Sequence, residues 1–169
     1  MLQRTAEFIK EHKMAAEGAK IVLDSKSFSL EDIFEVQPWL IKPNQEEISE
    51  YLCCRIHNLE EAIAKAQIFA CHGIANVMIS LGDQGALLLH NGCCYIATPP
   101  AIRAISTIGA GDSSLAGFIA AAQKGADAAE CLKNAVTYGT AACLTEGSLP
   151  PTAADMEAIY PQVTVQQIQ

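Results

Sequence analysis

The sequence contains little positive charge and few aromatic residues. Lys and Arg number 11 against 19 Asp and Glu, which gives a net charge of −8, and aromatic residues make up 6% of the 169 positions. A protein that tracks nucleic-acid phosphates needs clustered Lys and Arg, and the sequence has no such cluster. We therefore expect no nucleic-acid partner. An anionic ligand would be held locally, by backbone N–H groups, a few placed cations or a metal.

Long apolar runs and paired cysteine motifs are also missing. The N-terminal segment MLQRTAEFIKEHKMAAEGAK has no apolar core of signal-peptide type, and no run approaches the length of about 20 residues that a membrane-spanning helix needs. The seven cysteines include no CxxC motif, which disfavours both a disulfide framework and a zinc site. We expect a cytoplasmic protein that does not contact membranes.

Short apolar runs alternate with helical patterns along the chain. Half of the residues are hydrophobic, enough for one core, so we predict a single domain over residues 1–169. A helix is predicted over residues 2–17, and short strands over residues 21–23, 39–41 and 77–81. This order is typical of an α/β fold with a mostly parallel, doubly wound sheet. Asn91 and Gly92 predict a turn between two further runs, which adds an antiparallel hairpin.

Residues that cap helices mark several predicted helix starts. Ser29, Asn44 and Asn58 each precede a helical pattern, and their short polar side chains can accept a hydrogen bond from the first turn. Further helices are predicted over residues 112–124, 127–145 and 153–159, and a terminal edge strand over residues 163–165.

The segment Thr-Ile-Gly-Ala-Gly-Asp around Asp112 is the most informative. Gly109, Ala110 and Gly111 allow successive backbone N–H groups to point into one concavity, and a helix that starts at Asp112 adds its positive end. Such a turn can bind a phosphate, and a carboxylate beside it can accept a proton from an attacking hydroxyl. The alternative is that Asp112 only caps a helix.

Two further polar segments follow predicted strands, where ligands bind in open α/β sheets. In Lys42-Pro43-Asn44-Gln45-Glu46-Glu47, Asn44 and Glu47 lie on one helical turn and could hold a hydrated Mg²⁺ and a phosphate. The alternative is a capping box formed by the same two residues.

The third segment is Ser80-Leu81-Gly82-Asp83-Gln84-Gly85. Ser80, Gly82 and Gly85 would let a nucleotide approach the backbone closely. A plain tight turn before the hairpin explains these glycines equally well.

In order and approximate spacing, these segments resemble the second half of the PfkB (ribokinase-like) carbohydrate kinase family. The resemblance covers nearly the whole chain and is carried by LIKPNQEE, SLGDQGALLL and STIGAGDSSLAGF, with Asn134 in the following helix. Ser106 and Lys42 look more like the 1-phosphofructokinase and tagatose-6-phosphate kinase branch. Asp24 and Ser25 occupy a strand end where that branch often reads Asp-Thr-Ser-Gly.

The resemblance implies a ribokinase-like fold and a role for each matching residue. Asp112 would be the general base, and the amides of Gly109, Ala110 and Gly111 would stabilise the transferred phosphoryl group. Glu47 and Asn44 would organise Mg²⁺ indirectly, and Asn44 would also contact the nucleotide. Lys42, Ser80, Gly82 and Gly85 would lie against ATP, with Asn134 near the adenine.

The resemblance further implies ATP-dependent phosphoryl transfer to a hydroxyl of a sugar phosphate, of the fructose 1-phosphate, fructose 6-phosphate or tagatose 6-phosphate type. The chain corresponds to the nucleotide-binding and catalytic half of the family, and the sugar-binding half with its lid is not in residues 1–169. The alternative is a non-catalytic nucleotide-binding remnant or interaction module. Strand edges left without their usual neighbours would favour self-association, so we expect a homo-oligomer.

Overall fold

The computed structural model describes residues 18–168, so the helix predicted over residues 2–17 lies outside the described part. Contacts divide the chain into two compact units. The first extends up to Ile79 and includes Leu89–Gly92, and the second comprises Ser80–Leu88 and the residues from Cys93 onward. The single domain over residues 1–169 stays a prediction.

Six strands form one mixed sheet in sequence order. They are β1 (Val22–Leu23), β2 (Leu40–Ile41), β3 (Asn76–Ser80), β4 (Ala86–His90), β5 (Cys93–Thr98) and β6 (Thr164–Ile168). The first three strands pair in parallel, and β5 pairs antiparallel with β6. With flanking helices, this arrangement confirms the predicted α/β fold class.

The described residues contain six α-helices. They are α1 (Leu30–Val36), α2 (Gln45–Tyr51), α3 (Leu59–Cys71), α4 (Ala110–Gln123), α5 (Ala128–Ala142) and α6 (Ala153–Ile159). Ser29, Asn44 and Asn58 cap the first three as predicted, each accepting a hydrogen bond from a backbone N–H of the first turn. Asp127 and Thr152 cap α5 and α6 in the same way.

Two local predictions can be compared closely with the structure. Asn91 and Gly92 both adopt positive φ, 49° and 78°, as a tight hairpin turn requires. The predicted start of α4 at Asp112 is wrong, because the helix begins at Ala110 and Gly109 is its N-cap. Asp112 is the third helical residue and does not cap the helix. A glycine cap has no side chain, so the sequence pattern assigned the start to the next polar residue.

Each unit has its own apolar core. In the first, β2 and residues 76–79 of β3 are buried almost completely, and Ile48 of α2 and Phe69 of α3 are fully buried. In the second, α4 and α5 pack closely against each other, and Phe118 of α4 and Leu132 of α5 are both buried. Across residues 18–168, no helix combines the length and apolar character needed to cross a membrane.

Candidate nucleotide and phosphoryl-transfer site

The carboxyl ends of β1 and β2 place two opposite charges side by side. Leu23 pairs with Ile41 in the parallel register, so the next residues along each strand, Asp24 and Lys42, are neighbours. The Nζ of Lys42 lies 2.9 Å from Oδ2 of Asp24. The Lys42 side chain is only 8% exposed, against 23% for Asp24. This pair is a largely buried cation held by a partly buried carboxylate.

Asn44 and Glu47 form a closed capping box at the start of α2. The backbone N–H of Glu47 donates to Oδ1 of Asn44 (2.8 Å), and the N–H of Asn44 donates to Oε2 of Glu47 (2.9 Å). The capping alternative is therefore confirmed. The expected roles of Asn44 and Glu47 in binding magnesium and phosphate stay predictions.

The donor set at this strand end fits a Mg²⁺ held mainly by water and phosphate. No group of three or more His, Cys, Asp or Glu that could enclose a metal occurs among residues 18–168. Mg²⁺ usually keeps several waters and needs only one or two protein carboxylates. Oε1 of Glu47 is outside the capping box, and its one ion-pair partner in the described chain, Lys26, is 3.8 Å away and mostly exposed. Glu47 can therefore contribute one carboxylate oxygen.

A small pocket opens at the same strand ends within the first unit. It is lined by Leu23, Asp24, Ser25, Ile33, Ile41, Lys42, Pro43, Glu47 and Tyr51. The hydroxyl of Tyr51 donates to the carbonyl oxygen of Ser25 (3.0 Å). Burial raises the pKa of Tyr51 above its usual 10.0, and the nearby carboxylates of Glu47, Glu50 and Asp24 raise it further. Tyr51 therefore stays neutral and closes one wall of the pocket.

The segment after β3 forms a tight 3₁₀ turn over Gly82–Gln84. Gly82 has φ 64°, and the N–H of Leu81 donates to the carbonyl of Gly85 (2.8 Å). A Cβ on Gly85 would lie 1.9 Å from the carbonyl oxygen of Ala97, so only glycine fits there. The close approach to β5 explains this glycine without a ligand. The nucleotide role of Gly82, Gly85 and the half-buried Ser80 stays a prediction.

The start of α4 is open. Gly109 adopts a left-handed conformation (φ 79°), and no side chain caps the helix. The N–H of Ala110 donates to Thr107 O over 3.3 Å, whereas no acceptor among residues 18–168 is found for the N–H groups of Gly109, Gly111 or Asp112. A left-handed residue followed by helical residues directs successive N–H groups into an anion-binding concavity.

Asp112 is the third residue of α4, beside these open N–H groups. Its side chain is exposed and makes no hydrogen bond or ion pair with any described residue. A carboxylate in the first turn also interacts favourably with the helix dipole, typically by about 0.3–1 kcal/mol. The carboxylate of Asp112 therefore has no protein partner among the described residues.

The neighbouring helix α5 supports this open start. The carbonyl of Cys143 accepts from the N–H of Ile105 (2.8 Å) and of Ser106 (3.4 Å), which anchors the loop before α4. A Cβ on Gly139 would lie 3.2 Å from the carbonyl oxygen of Ala110. A small residue on α5 therefore lets the two helices meet at the first turn of α4.

Asn134 lies on α5 in a hydrogen-bond network. Its Nδ2 donates to the carbonyl of Glu130 (2.9 Å) and to Oε1 of the same residue (2.7 Å). The hydroxyl of Tyr160 donates to that same Oε1 (2.6 Å), and the Lys133 ammonium lies 4.2 Å from the centre of the Tyr160 ring. The two hydrogen bonds that Nδ2 donates fix the orientation of the Asn134 amide, because Nδ2 must face both acceptors on Glu130. The proximity of Asn134 to adenine stays a prediction.

Comparison with known proteins assigns these segments to one family. The model for the pfkB family of carbohydrate kinases matches residues 1–154. The chain belongs to the PfkB family.

Curated relatives of this PfkB chain share substantial identity with it. The 1-phosphofructokinase of Haemophilus influenzae is 40% identical over 116 residues, which cover 68% of this chain and 37% of that protein. The 1-phosphofructokinase of Bacillus subtilis is 32% identical over 152 residues, which cover 90% of this chain and 50% of that protein. The chain therefore spans half or less of the length of these relatives.

A solved structure agrees on the fold. Phosphofructokinase-2 of Escherichia coli, in complex with substrates and products, is 27% identical and superposes with a TM-score of 0.86 over 95% of this chain and 52% of that one. The same enzyme has been solved in a tetrameric inhibited form. The resemblance to PfkB kinases and the ribokinase-like fold are thereby confirmed.

Two contacts of this PfkB chain were not found from the sequence. The ion pair between Asp24 and Lys42 had a usable signal, because opposite charges directly follow two short strands that lie next to each other in a parallel sheet. The contact between Tyr160 and Glu130 had none, because the two residues are 30 positions apart and neither belongs to a recognisable motif.

Proposed function

We propose that this chain carries the nucleotide-binding and phosphoryl-transfer residues of an ATP-dependent sugar-phosphate kinase. Membership of the PfkB family supports the reaction class. The observation that carries the proposal is the start of α4. It is the one α-helix among residues 18–168 without a side-chain cap, and Asp112, the residue next to the open N–H of Gly111, carries a carboxylate without a partner in the described chain. Open N–H groups at a helix start are suited to bind a phosphate.

In the proposed reaction, a sugar hydroxyl oxygen attacks the terminal phosphorus of ATP. The new P–O bond forms as the bond to the ADP oxygen breaks, and the hydroxyl proton passes to the carboxylate of Asp112. The N–H groups of Gly109, Ala110 and Gly111 stabilise the negative charge on the transferred group. Gly109 and Gly111 contribute most, because the N–H of Ala110 already donates to Thr107.

Metal and nucleotide contacts are proposed for Lys42, Asn44 and Glu47. When bound, Mg²⁺ would neutralise charge on the phosphate oxygens. Glu47 would hold it through Oε1, directly or through water, while Asn44 keeps the start of α2 in place. Lys42 supplies a cation for a phosphate oxygen. Ser80, Gly82, Gly85 and Asn134 are proposed as further nucleotide contacts.

The acceptor is proposed to be a phosphorylated ketose, first of all fructose 1-phosphate, because several curated relatives are named 1-phosphofructokinase. Fructose 6-phosphate and tagatose 6-phosphate are the other candidates.

We also propose that the protein forms homo-oligomers. A non-catalytic remnant was the alternative from the sequence. It is not favoured, because the open helix start and the free carboxylate of Asp112 are both retained.

The test is Asp112→Asn in the full-length gene product, assayed with MgATP and each of the three sugar phosphates. Loss of the proton acceptor should lower kcat by about two to four orders of magnitude. The Kd for ATP, measured by calorimetry, should change little. Glu157→Gln is the matched control, since it removes one negative charge from an exposed position on α6. Near-wild-type turnover by Asp112→Asn would contradict the base assignment, and wild-type protein that binds ATP without turnover would contradict the kinase proposal.

A further inference from the structure

The ion pair at the ends of β1 and β2 is built by the fold itself. The register pairs Leu23 with Ile41, and the N–H of Lys42 donates to the carbonyl of Leu23 (3.2 Å), so the parallel ladder continues to the residues that carry the charges. Asp24 and Lys42 therefore leave neighbouring strands at the same level. The backbone, rather than a flexible loop, sets their separation.

The burial of Lys42 is unusual for its residue type. Lysine is almost never buried without a partner, because a charge that leaves water is costly unless it is paired. With 8% of its side chain exposed, Lys42 has Asp24 as its one ion-pair partner in the described chain. Glu47 lines the same pocket, but its ion pair is with Lys26. The position of the Lys42 ammonium thus depends on Asp24.

An ammonium carries three N–H donors, and the single contact at 2.9 Å uses one of them. The other two remain for a ligand in the pocket, which Lys42 and Asp24 both line. The four-carbon stem of lysine is flexible, so a free Lys would lose rotamer entropy on binding a phosphate. A carboxylate that already holds the ammonium removes part of that cost.

We infer that Asp24 is a positioning residue that fixes the ammonium of Lys42 for a phosphate oxygen of ATP. The inference rests on the proposed function, in which Lys42 contacts the nucleotide. It also gives Asp24 a role, although the residues that follow Asp24 do not include the glycine of the Asp-Thr-Ser-Gly segment common in the related branch. Asp24 touches no ligand atom in this proposal. It acts only through Lys42.

A double-mutant cycle tests this coupling. The full-length gene product is prepared as wild type, Asp24→Ala, Lys42→Met and the double variant, and calorimetry gives the Kd for ATP and for adenosine. Each single variant should weaken ATP binding about tenfold or more, the usual effect of losing a hydrogen bond to a charged group. Adenosine has no phosphates, so its Kd should stay within about twofold. The double variant should bind ATP no worse than Lys42→Met alone.

Two further variants serve as controls. Asp24→Asn keeps an acceptor oxygen in place and should recover part of the ATP affinity. Lys26→Met removes an exposed lysine beside the same pocket and should leave the Kd for ATP unchanged within about twofold. Should Asp24→Ala fail to fold, the comparison of Asp24→Asn with Lys42→Met decides the question. The double variant removes both charges of the pair together, so it leaves no unpaired charge in the pocket.

The outcomes separate the inference from the proposed function. Additive losses in the double variant, or equal losses for ATP and adenosine, would overturn the positioning role. A Lys42→Met variant with wild-type ATP affinity would overturn both the positioning role and the Lys42 contact, while turnover that depends on Asp112 would still support the kinase. A wild-type protein that does not bind ATP would overturn the proposed function itself.

Discussion

The starts of α2 and α4 are built in opposite ways, although the sequence predicts a phosphate-binding role at both. At α2, Asn44 and Glu47 satisfy each other's backbone N–H groups through a reciprocal capping box. At α4, Gly109 has no side chain, and the N–H groups of Gly109 and Gly111 are left without an acceptor in the described chain. One start is closed by the protein, and the other is open.

The difference separates two kinds of site. An N–H that already donates to a side chain must lose that bond before it can donate to a ligand, whereas an open N–H binds an anion without such a cost. The start of α4 is therefore the better candidate for the proposed anion site. Glu47 is the better candidate for the proposed metal contact, because the oxygen outside its capping box is still available.

The largest effect on stability is expected from Gly117→Ala, which tests whether the open start of α4 is held by packing on α5. A Cβ at this position would lie 2.7 Å from the carbonyl oxygen of Asn134 and 2.8 Å from Cγ of Tyr138. Overpacking of this kind should lower the free energy of unfolding by about 1–3 kcal/mol. Urea denaturation measures it, with Ala116→Ser at the exposed neighbouring position as control. A variant as stable as wild type or more so would show that the contact between α4 and α5 accommodates a methyl group at this position.

The next effect concerns the backbone that makes the start of α4 open. Gly109 has φ 79°, which costs a residue with a Cβ about 1–2 kcal/mol. Gly109→Ala should lose that amount of stability in thermal or urea unfolding. Gly109→Asn should lose less, because asparagine tolerates the left-handed region. Equal stability of all three proteins would mean that the turn does not need this conformation.

Asn44→Ala should break the closed start of α2. Losing an N-cap side chain typically costs about 1 kcal/mol, and Asn44→Ser should restore most of it because serine is also a good cap. Asn58→Ala, at the start of α3, is a comparison for a cap whose own backbone N–H receives no carboxylate, because Oε2 of Glu61 accepts from the N–H of His57 instead. Unchanged stability in Asn44→Ala would show that the box is not a stabilising contact, and the contrast with α4 would lose its basis.

The elements with a local chemical signal could be predicted from the sequence. Ser29, Asn44 and Asn58 cap the helices they were predicted to cap, and Asn91 and Gly92 turn the hairpin, because each acts through its own side chain or its own φ. The start of α4 was placed two residues late. A glycine cap is defined by its conformation, and nothing in the residue type distinguishes it from a glycine in a loop.

Contacts between distant positions could not be predicted in the same way. The network of Asn134, Glu130 and Tyr160 depends on how α5 meets the segment after α6, which no local pattern specifies. The close approach of Gly85 to Ala97 likewise depends on the pairing of a turn with a strand end. The candidate residues of the site follow from motifs, whereas the contacts that hold them follow from tertiary packing.

The smallest effect is expected from removing the charge of Glu47 at the closed start of α2. The pKa of Tyr51 is raised above 10.0, first by burial and then by the carboxylate of Glu47. Glu47→Gln should lower this pKa while leaving it above its usual value, since glutamine can keep the capping box and only the charge is lost. Ultraviolet titration of tyrosinate measures the pKa of Tyr51, with Tyr51→Phe to identify the transition.

The raised pKa of Tyr51 also makes stability depend on pH. The associated stability is present below pH 10 and is lost as the pH rises through the pKa of Tyr51 in the folded protein. Glu47→Gln should therefore lose less stability than wild type over that pH range. An unchanged Tyr51 pKa would show that the carboxylate is neutralised by another group.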